Sequence, residues 1–446
     1  MQAIRSHMKT HRPMNGRPQG IASQAASASH RSPAGYSDAK TSDRPQADGL
    51  RRRTRGAFVV LVASAICLFP ALGVGLCGCT QSQSASSDAG AASSTAGNAG
   101  AQSASGTAAT QVVTDSMGRQ VAVPVDPERV AALDSFTGEA MVMGKADSQM
   151  VAAPGGVKSD AILQQIYPGL ANVSSPMSGG TVNIESLMTT GAQVAIIKSS
   201  LYYSSGVTDS LDKAGIPYVV IAYDTMEEQA QALEIIGQVC GGQVQSNLTA
   251  MAAYYRETIA RVQEHAAQIP ESEKVRVYHA INEVVRTDGA TSLGTDWIQC
   301  VGGIDVSAGQ ELGVGETDYN TTLEQVFVWD PDVVICNAAS TTDYLYTDSK
   351  WTSLRAVREK TVYSIPVGAT RWGQPGSVET FFAMLWLGKT IYPDYYADID
   401  LQSEVTSFYR TYLGIDIDDT TYQQMLSGVG IRKTSDNAGT TNGGAN

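Results

Sequence analysis

The 446-residue chain is poor in the side chains that carry out chemistry. Past residue 79 it keeps two histidines, His265 and His279, and shows no G-x-S-x-G elbow, no H-E-x-x-H pair and no C-x-x-C. The usual nucleophilic, zinc and thiol-redox constellations therefore cannot be built from local motifs. An enzyme is disfavoured, and neither a resident cofactor nor a metal site is expected. His265 lies in a helical stretch and reads as solvated; His279, at the end of an apolar strand over 274–280, reads as a satisfied core or rim residue. Basic residues are also scarce. Of 31 Lys and Arg, 11 precede Cys79, against 3 of 44 Asp and Glu, which leaves 20 against 41 and a net charge near -21. A surface so acidic excludes nucleic acid and anionic membrane as partners held by charge, because phosphate binding needs a basic face.

What the amino-terminal region does contain settles the compartment. The basic patch Arg51-Arg52-Arg53-Thr54-Arg55 precedes an uncharged apolar run from Ala57 to Leu76, the order of an export signal. Leu76-Cys77-Gly78-Cys79 resembles a bacterial lipobox, which makes 51–79 a lipoprotein signal peptide and Cys79 the lipidated residue, a membrane anchor outside the cytoplasm. A retained span is the rival reading, since about 20 apolar residues cross a bilayer; Pro70, Gly73, Gly75 and Gly78 favour cleavage. Residues 1–50 are a doubtful extension without apolar periodicity, and translation is expected to begin near Leu50. From Thr80 to about 110 the chain is nearly all Ser, Ala, Gly, Gln and Thr, a flexible tether with an r.m.s. reach of about 30 Å. The tail, 433–446, has similar composition. Cys240, Cys300 and Cys336 are an odd set for an oxidising compartment, so at most one disulfide forms among them.

Between tether and tail the chain repeats itself. Residues 183–197 align without a gap on 322–336, each copy a short amphipathic helix followed by an apolar run of strand length. Such a run is covered on both faces, the habit of a parallel sheet. Two similar α/β lobes follow, 111–243 and 274–430, with a crevice between them where small ligands bind. The stretch 225–268 is helical in pattern, interrupted at Gly241-Gly242. Leu248, Met251, Ala252, Tyr255, Ile259 and Val262 recur at three- or four-residue spacing in a helix expected over 244–268. A connector between lobes and an ordinary core helix are both compatible with that periodicity.

Several segments carry a family resemblance: Asp115-Ser116-Met117-Gly118-Arg119-Gln120-Val121-Ala122-Val123-Pro124, predicted as a hairpin; Pro127 to Ser135; Asn183 to Leu187; Trp329 to Ile335; Trp351 to Val357; and Val362 to Pro366. In this order they resemble the substrate-binding proteins of ABC importers for iron-siderophores, haem and cobalamin, over roughly 111–428. The resemblance implies a class III periplasmic-binding fold, α/β, with two Rossmann-like lobes joined by a single long connecting helix. It also implies capture of a metal chelate or corrinoid and delivery to the importer's membrane subunits. One departure is Ala192-Gln193, where the family usually has Pro-Asp.

Ligand contacts are expected on loops at the carboxyl ends of strands: Asp134, Ser135, Phe136, Ser178, Tyr202 and Tyr203 in the first lobe, Arg286, Tyr344, Arg371 and Trp372 in the second. The two arginines offer forks to anionic oxygens, and the aromatic residues offer flat contact. Thr321-x-x-Glu324 fits a capping box and acid suits a first helical turn; the resemblance implies instead that Glu185 and Glu324 dock on importer arginines. Two other classes stay open: an extracytoplasmic α/β enzyme acting on a small polar substrate, and a solute receptor of another importer class, for amino acids or oxyanions.

Overall fold

Alternating side chains over 110–124 build the first hairpin, Thr110–Thr114 paired antiparallel with Gln120–Pro124 around Gly118 at φ 75°. The computed structural model describes residues 109–430 apart from 179, 205 and 315–318. The extension 1–50, the signal with Cys79, nearly all of the tether and the tail 433–446 lie outside the described residues. Asp115 stitches the turn by accepting from the backbone N–H groups of Met117 and Arg119, both at 3.0 Å. Its second oxygen takes the N–H of Val220 at 3.1 Å, which fastens the hairpin to the sheet behind it.

That sheet has four parallel strands, in the order Met150–Ala152, Val130–Ala132, Val194–Lys198, Tyr218–Ile221. A second sheet holds Ile304–Asp305, Arg276–Ala280, Val333–Cys336 and Val362–Ser364, also parallel. Ranked along the chain, both have the spatial order 2-1-3-4, so the two lobes share one doubly wound topology. The duplication reaches individual hydrogen bonds. In the first lobe Gln193 Oε1 accepts from Arg129 N at 3.1 Å and Gln193 N donates to Arg129 O at 2.8 Å. In the second, Asp332 Oδ2 accepts from Arg276 N and Asp332 N donates to Arg276 O, both at 2.9 Å. Arg129 Nε donates to Thr190 O and Arg276 Nη2 to Trp329 O, each at 2.8 Å. Gln193, the departure from the family pattern, thus does the work of Asp332: both side chains supply an acceptor to the backbone entering the first strand.

Each sheet buries both faces. Outward residues of the first lobe, Ala131, Ala195, Ile197 and Val220, pack with Leu187 of the helix Ile184–Thr189. Their counterparts Tyr278, Val334 and Cys336 pack with Val326 and Trp329 of the helix Leu323–Trp329. The inward residues belong to one continuous cluster that includes Val130, Ile196, Val277 and Ile335. Leu248, Met251, Tyr255 and Val262 join it from the helix Gly242–Ala266. That helix has 25 residues, about 37 Å at 1.5 Å per residue, and starts and ends two residues earlier than expected. Near its start Asn247 Nδ2 donates to Gly144 O of the first lobe at 3.0 Å. Near its end Tyr396 OH, from the second lobe, donates to Val262 O at 3.1 Å, and Arg261 pairs with Glu404 at 2.7 Å. It therefore joins the lobes. His265, expected in solvent, instead packs at a tilt against Tyr396 at 4.9 Å with 14% of its side chain exposed, because the last turn of the connecting helix beds into the second lobe.

The connector is set against the preceding helix, Met226–Cys240, by glycine. Gly241 has φ 71°, and a Cβ there would stand 2.1 Å from Asp126 Oδ1. Gly241→Ala combines left-handed strain with that clash, so it should destabilise the protein by about 1–3 kcal/mol. The shift in denaturant midpoint at unchanged slope measures it; an unshifted midpoint would mean the junction has slack.

Candidate functional site

In both sheets the order reverses beside the first strand, so loops leaving the carboxyl ends there diverge and open a crevice. A cavity of about 500 Å³ lies between the lobes. Its first-lobe walls are Ser135 and Glu139, on the helix Ser135–Met143, and the segment 156–164, which follows the strand Met150–Ala152. Its second-lobe wall is 367–374, which follows the strand Val362–Ser364. Among the lining residues Arg371 is the basic side chain; Glu139 and Asp160 are the acidic ones. Asp160 caps the helix Ala161–Ile166, accepting from Ile162 N at 2.9 Å and Leu163 N at 2.8 Å. Arg371 Nη1 donates to Gln374 Oε1 at 3.0 Å, within the same loop.

The base of the cavity is a polar seam between lobes. Glu139 Oε2 accepts from Val378 N at 3.0 Å and from Thr370 Oγ1 at 3.2 Å. Gln229 Nε2 donates to Ser377 O at 3.1 Å, Tyr223 OH donates to Pro375 O, and Met226 N donates to Asp296 Oδ2 at 2.8 Å. A second buried carboxyl stands beside the first. Glu379 Oε2 accepts from Thr370 N at 2.8 Å and Oε1 from Tyr409 OH, which one turn of π-helix, Tyr409–Leu413, presents. Thr370 Oγ1 lies 3.2 Å from Glu139 Oε2, 3.5 Å from Glu379 Oε2 and 2.6 Å from Ser377 Oγ. Burial raises the Glu379 carboxyl to about 7, against the pull of its Thr370 and Tyr409 donors. Burial holds Glu139 well above the carboxylate range too, with the Glu379 charge adding to it and the Val378 and Thr370 donors opposing.

Of the expected ligand contacts, the cavity gathers Ser135 and Arg371. Asp134 is the buried N-cap of the helix Ser135–Met143, accepting from Thr137 N at 3.0 Å. Phe136 and Trp372 are fully buried, against Tyr223 at 4.9 Å and Phe382 at 5.0 Å, so packing rather than ligand contact occupies these rings. Tyr202 and Tyr203 pack on each other at 5.3 Å, with the Arg119 guanidinium 5.0 Å over the Tyr202 ring. Tyr344 lies beneath Lys350 at 5.0 Å, Arg286 is 3.9 Å from Glu283, and Ser178 sits in the hairpin Met177–Ser178 with Thr181–Val182; none of these lines the cavity. His279 is buried between Asp288 at 2.6 Å and Asn337 at 2.8 Å. Cys240, Cys300 and Cys336 are free thiols, each raised to about 12 by burial. Sequence reasoning missed Glu139, Glu379 and the segment 156–164. A signal existed for the two acids: each is the one charged residue in an apolar stretch, 135–144 and 372–388.

Glu185 and Glu324 are exposed on the second residue of matching helices, and neither forms a hydrogen bond or ion pair with the described residues. The capping box expected for Glu324 does not form. Thr322, not Thr321, is the N-cap, accepting from Gln325 N at 3.1 Å, which puts Glu324 one residue too early in the turn to reach back.

No protein-family model matches the sequence. Among curated proteins, the molybdate-binding protein MolA of Haemophilus influenzae is 24% identical over 328 residues, 68% of this chain and 91% of that protein. A solved periplasmic solute binding protein from Veillonella parvula is 25% identical at a TM-score of 0.60, over 71% of this chain and 97% of its own. The structure of MolA bound to molybdate matches at a TM-score of 0.61 and 21% identity, over 69% of this chain and 99% of MolA. The fold is that of the class III periplasmic binding proteins, and these relatives are binding proteins, not enzymes.

The buried Glu379 makes stability depend on pH. Its folded value, about 7, lies above the ordinary value of 4.5. Its contribution is therefore complete below pH 4.5 and is lost as pH rises to about 7, a change of up to about 3 kcal/mol. Glu379→Gln keeps an acceptor and cannot ionise, so denaturation midpoints over that window should fall less steeply than in the wild type. Equal slopes would show that Glu379 titrates alike in both states.

Proposed function

We propose that this chain, a periplasmic-type solute-binding protein by fold and by relatives, captures an iron chelate, haem or cobalamin in the inter-lobe crevice and hands it to an ABC importer. The observation that carries the reading is the cavity of about 500 Å³ with contributions from both lobes. That volume falls in the range of roughly 300–1,000 Å³ that suits organic ligands, far above what a bare oxyanion fills. Arg371, half-buried in the wall, offers a guanidinium to an anionic chelate oxygen. The seam and the connecting helix hold the walls in place, so binding spends little on closing them. Capture and presentation need no bond made or broken, which suits a lining without a nucleophile and base in contact.

A second reading, an oxyanion receptor, has one observation in its favour: the curated relative MolA is named for molybdate. Thermal-shift titration separates the two, with a ferric tris-catecholate, haem, cyanocobalamin and molybdate as probes. A ligand at 100 times its dissociation constant adds about 2.7 kcal/mol. The expected result is a rise in Tm with a chelate or corrinoid and none with molybdate, and at least a tenfold weaker affinity in Arg371→Gln. A shift with molybdate alone would replace this reading with the second.

Delivery requires docking on both importer subunits and retention near them. Glu185 and Glu324, exposed at equivalent places on the two lobes, suit contact with paired arginines of the membrane subunits. Cys79, followed by a Ser/Ala/Gly tether, suits a lipid anchor that keeps the receptor at the outer face of the membrane. Charge reversal of both glutamates should abolish uptake in cells without changing ligand affinity, and Cys79→Ser should release the protein from the membrane fraction. Normal uptake in the double variant would remove the docking role, and a membrane-bound Cys79→Ser would remove the anchor.

A further inference from the structure

The seam at the base of the cavity joins a first-lobe carboxyl to a second-lobe loop without a cation in either set of hydrogen bonds. Both described hydrogen bonds to Glu139 fall on Oε2, from Val378 N and Thr370 Oγ1. Glu379 is served by Thr370 N and Tyr409 OH, and the two acids share Thr370. One hydroxyl proton on Thr370 cannot serve both carboxylates and Ser377 at once. The side chains of Glu139 and Glu379 are 1% and 0% exposed. Two negative charges this close, in a dry site, are strongly disfavoured. Glu139 is nonetheless part of the cavity wall.

We infer that Glu139 is a ligand-selecting residue: it is kept as a neutral carboxylic acid at the cavity floor, with its proton on Oε1, and donates a hydrogen bond to an acceptor oxygen of the bound solute. This deepens, and rests on, the reading of the crevice as a solute site. Oε2 takes the Val378 N–H and lies against Thr370 Oγ1, whereas Oε1 has no hydrogen-bond partner among the described residues, which makes Oε1 the oxygen left to carry a proton toward the solute. A neutral donor in the same cavity as Arg371 favours ligands presenting anionic or carbonyl oxygens over cationic ones. An ionised Glu139 would turn the same floor against them.

The groups that face Glu139 bear on its charge in known directions. Glu379 and Asp160 are acidic neighbours that favour the neutral form. Tyr223 is a neutral phenol packed on the same helix, and Tyr255, on the connecting helix, contacts the seam through Gln229. Lys158, on the helix Gly155–Ser159, and Arg371, across the cavity, are the cations of the adjoining segments. Burial is the largest influence on Glu139, with the Val378 and Thr370 donors opposing it.

The test has two arms. In the ligand-free mature protein at pH 7, infrared spectroscopy should show the C=O stretch of a protonated carboxylic acid that Glu139→Gln removes; absence of a band sensitive to Glu139→Gln overturns the inference. In the second arm a ferric tris-catecholate and molybdate are titrated between pH 6 and 9. Where Glu139 stays neutral, wild type and Glu139→Gln should bind alike; at any pH where it ionises, the wild-type affinity should fall by up to tenfold per pH unit. The profile should flatten in Glu139→Gln, which keeps a neutral donor. Glu139→Leu, which cannot donate, should bind more weakly at every pH, with circular dichroism confirming that it folds. Binding by Glu139→Leu as tight as in the wild type overturns the inference. Failure of both anions to bind removes the siderophore and oxyanion ligands alone, and the infrared band then decides the state of Glu139.

Discussion

The crevice depends on one constraint: the two lobes are not free bodies, because a single apolar cluster runs from Val130 and Ile196 through Leu248, Met251 and Tyr255 to Val277 and Ile335. Separating the lobes would expose that cluster to water at a cost of about 25 cal/mol for each Å² of apolar surface. The connecting helix is therefore a shared core element as much as a link between the lobes.

The same dryness explains the polarity of the cavity floor. Glu139 and Glu379 are buried because the helices that carry them, Ser135–Met143 and Thr380–Ile391 just after Glu379, are apolar on nearly every side and must be covered. A carboxyl in such a place gives up its charge more readily than it keeps it without a cation. The protein as a whole is strongly acidic, yet the cavity wall presents the Arg371 guanidinium and the Glu139 carboxyl, which burial holds well above the carboxylate range.

Much of the fold was legible because its signals are local. The apolar runs 194–197 and 333–336 are buried strand residues, the hairpin turns at Gly118, and the spacing of Leu248, Met251, Tyr255 and Val262 makes one helical face. The repeat predicted two lobes of one topology, and the hydrogen bonds of Gln193 and Asp332 bear it out atom by atom. The site was legible only in part. Loops after strands were the right places to search, and Ser135 and Arg371 were found there. The aromatic residues misled, since a loop position says nothing about whether a ring turns to solvent or to the core: Phe136 and Trp372 went inward.

Periodicity, the duplication and the order of motifs determined, from the sequence by itself, an α/β protein of two matched lobes with a crevice, because strand and helix patterns are written over a few residues. Only the tertiary structure decided which side chains meet in that crevice. Glu139 and Thr370 are 231 positions apart, and Glu139 and Val378 are 239 apart. Contacts at such separation follow from how two independently patterned lobes are clamped by a shared core, and no local spacing encodes that.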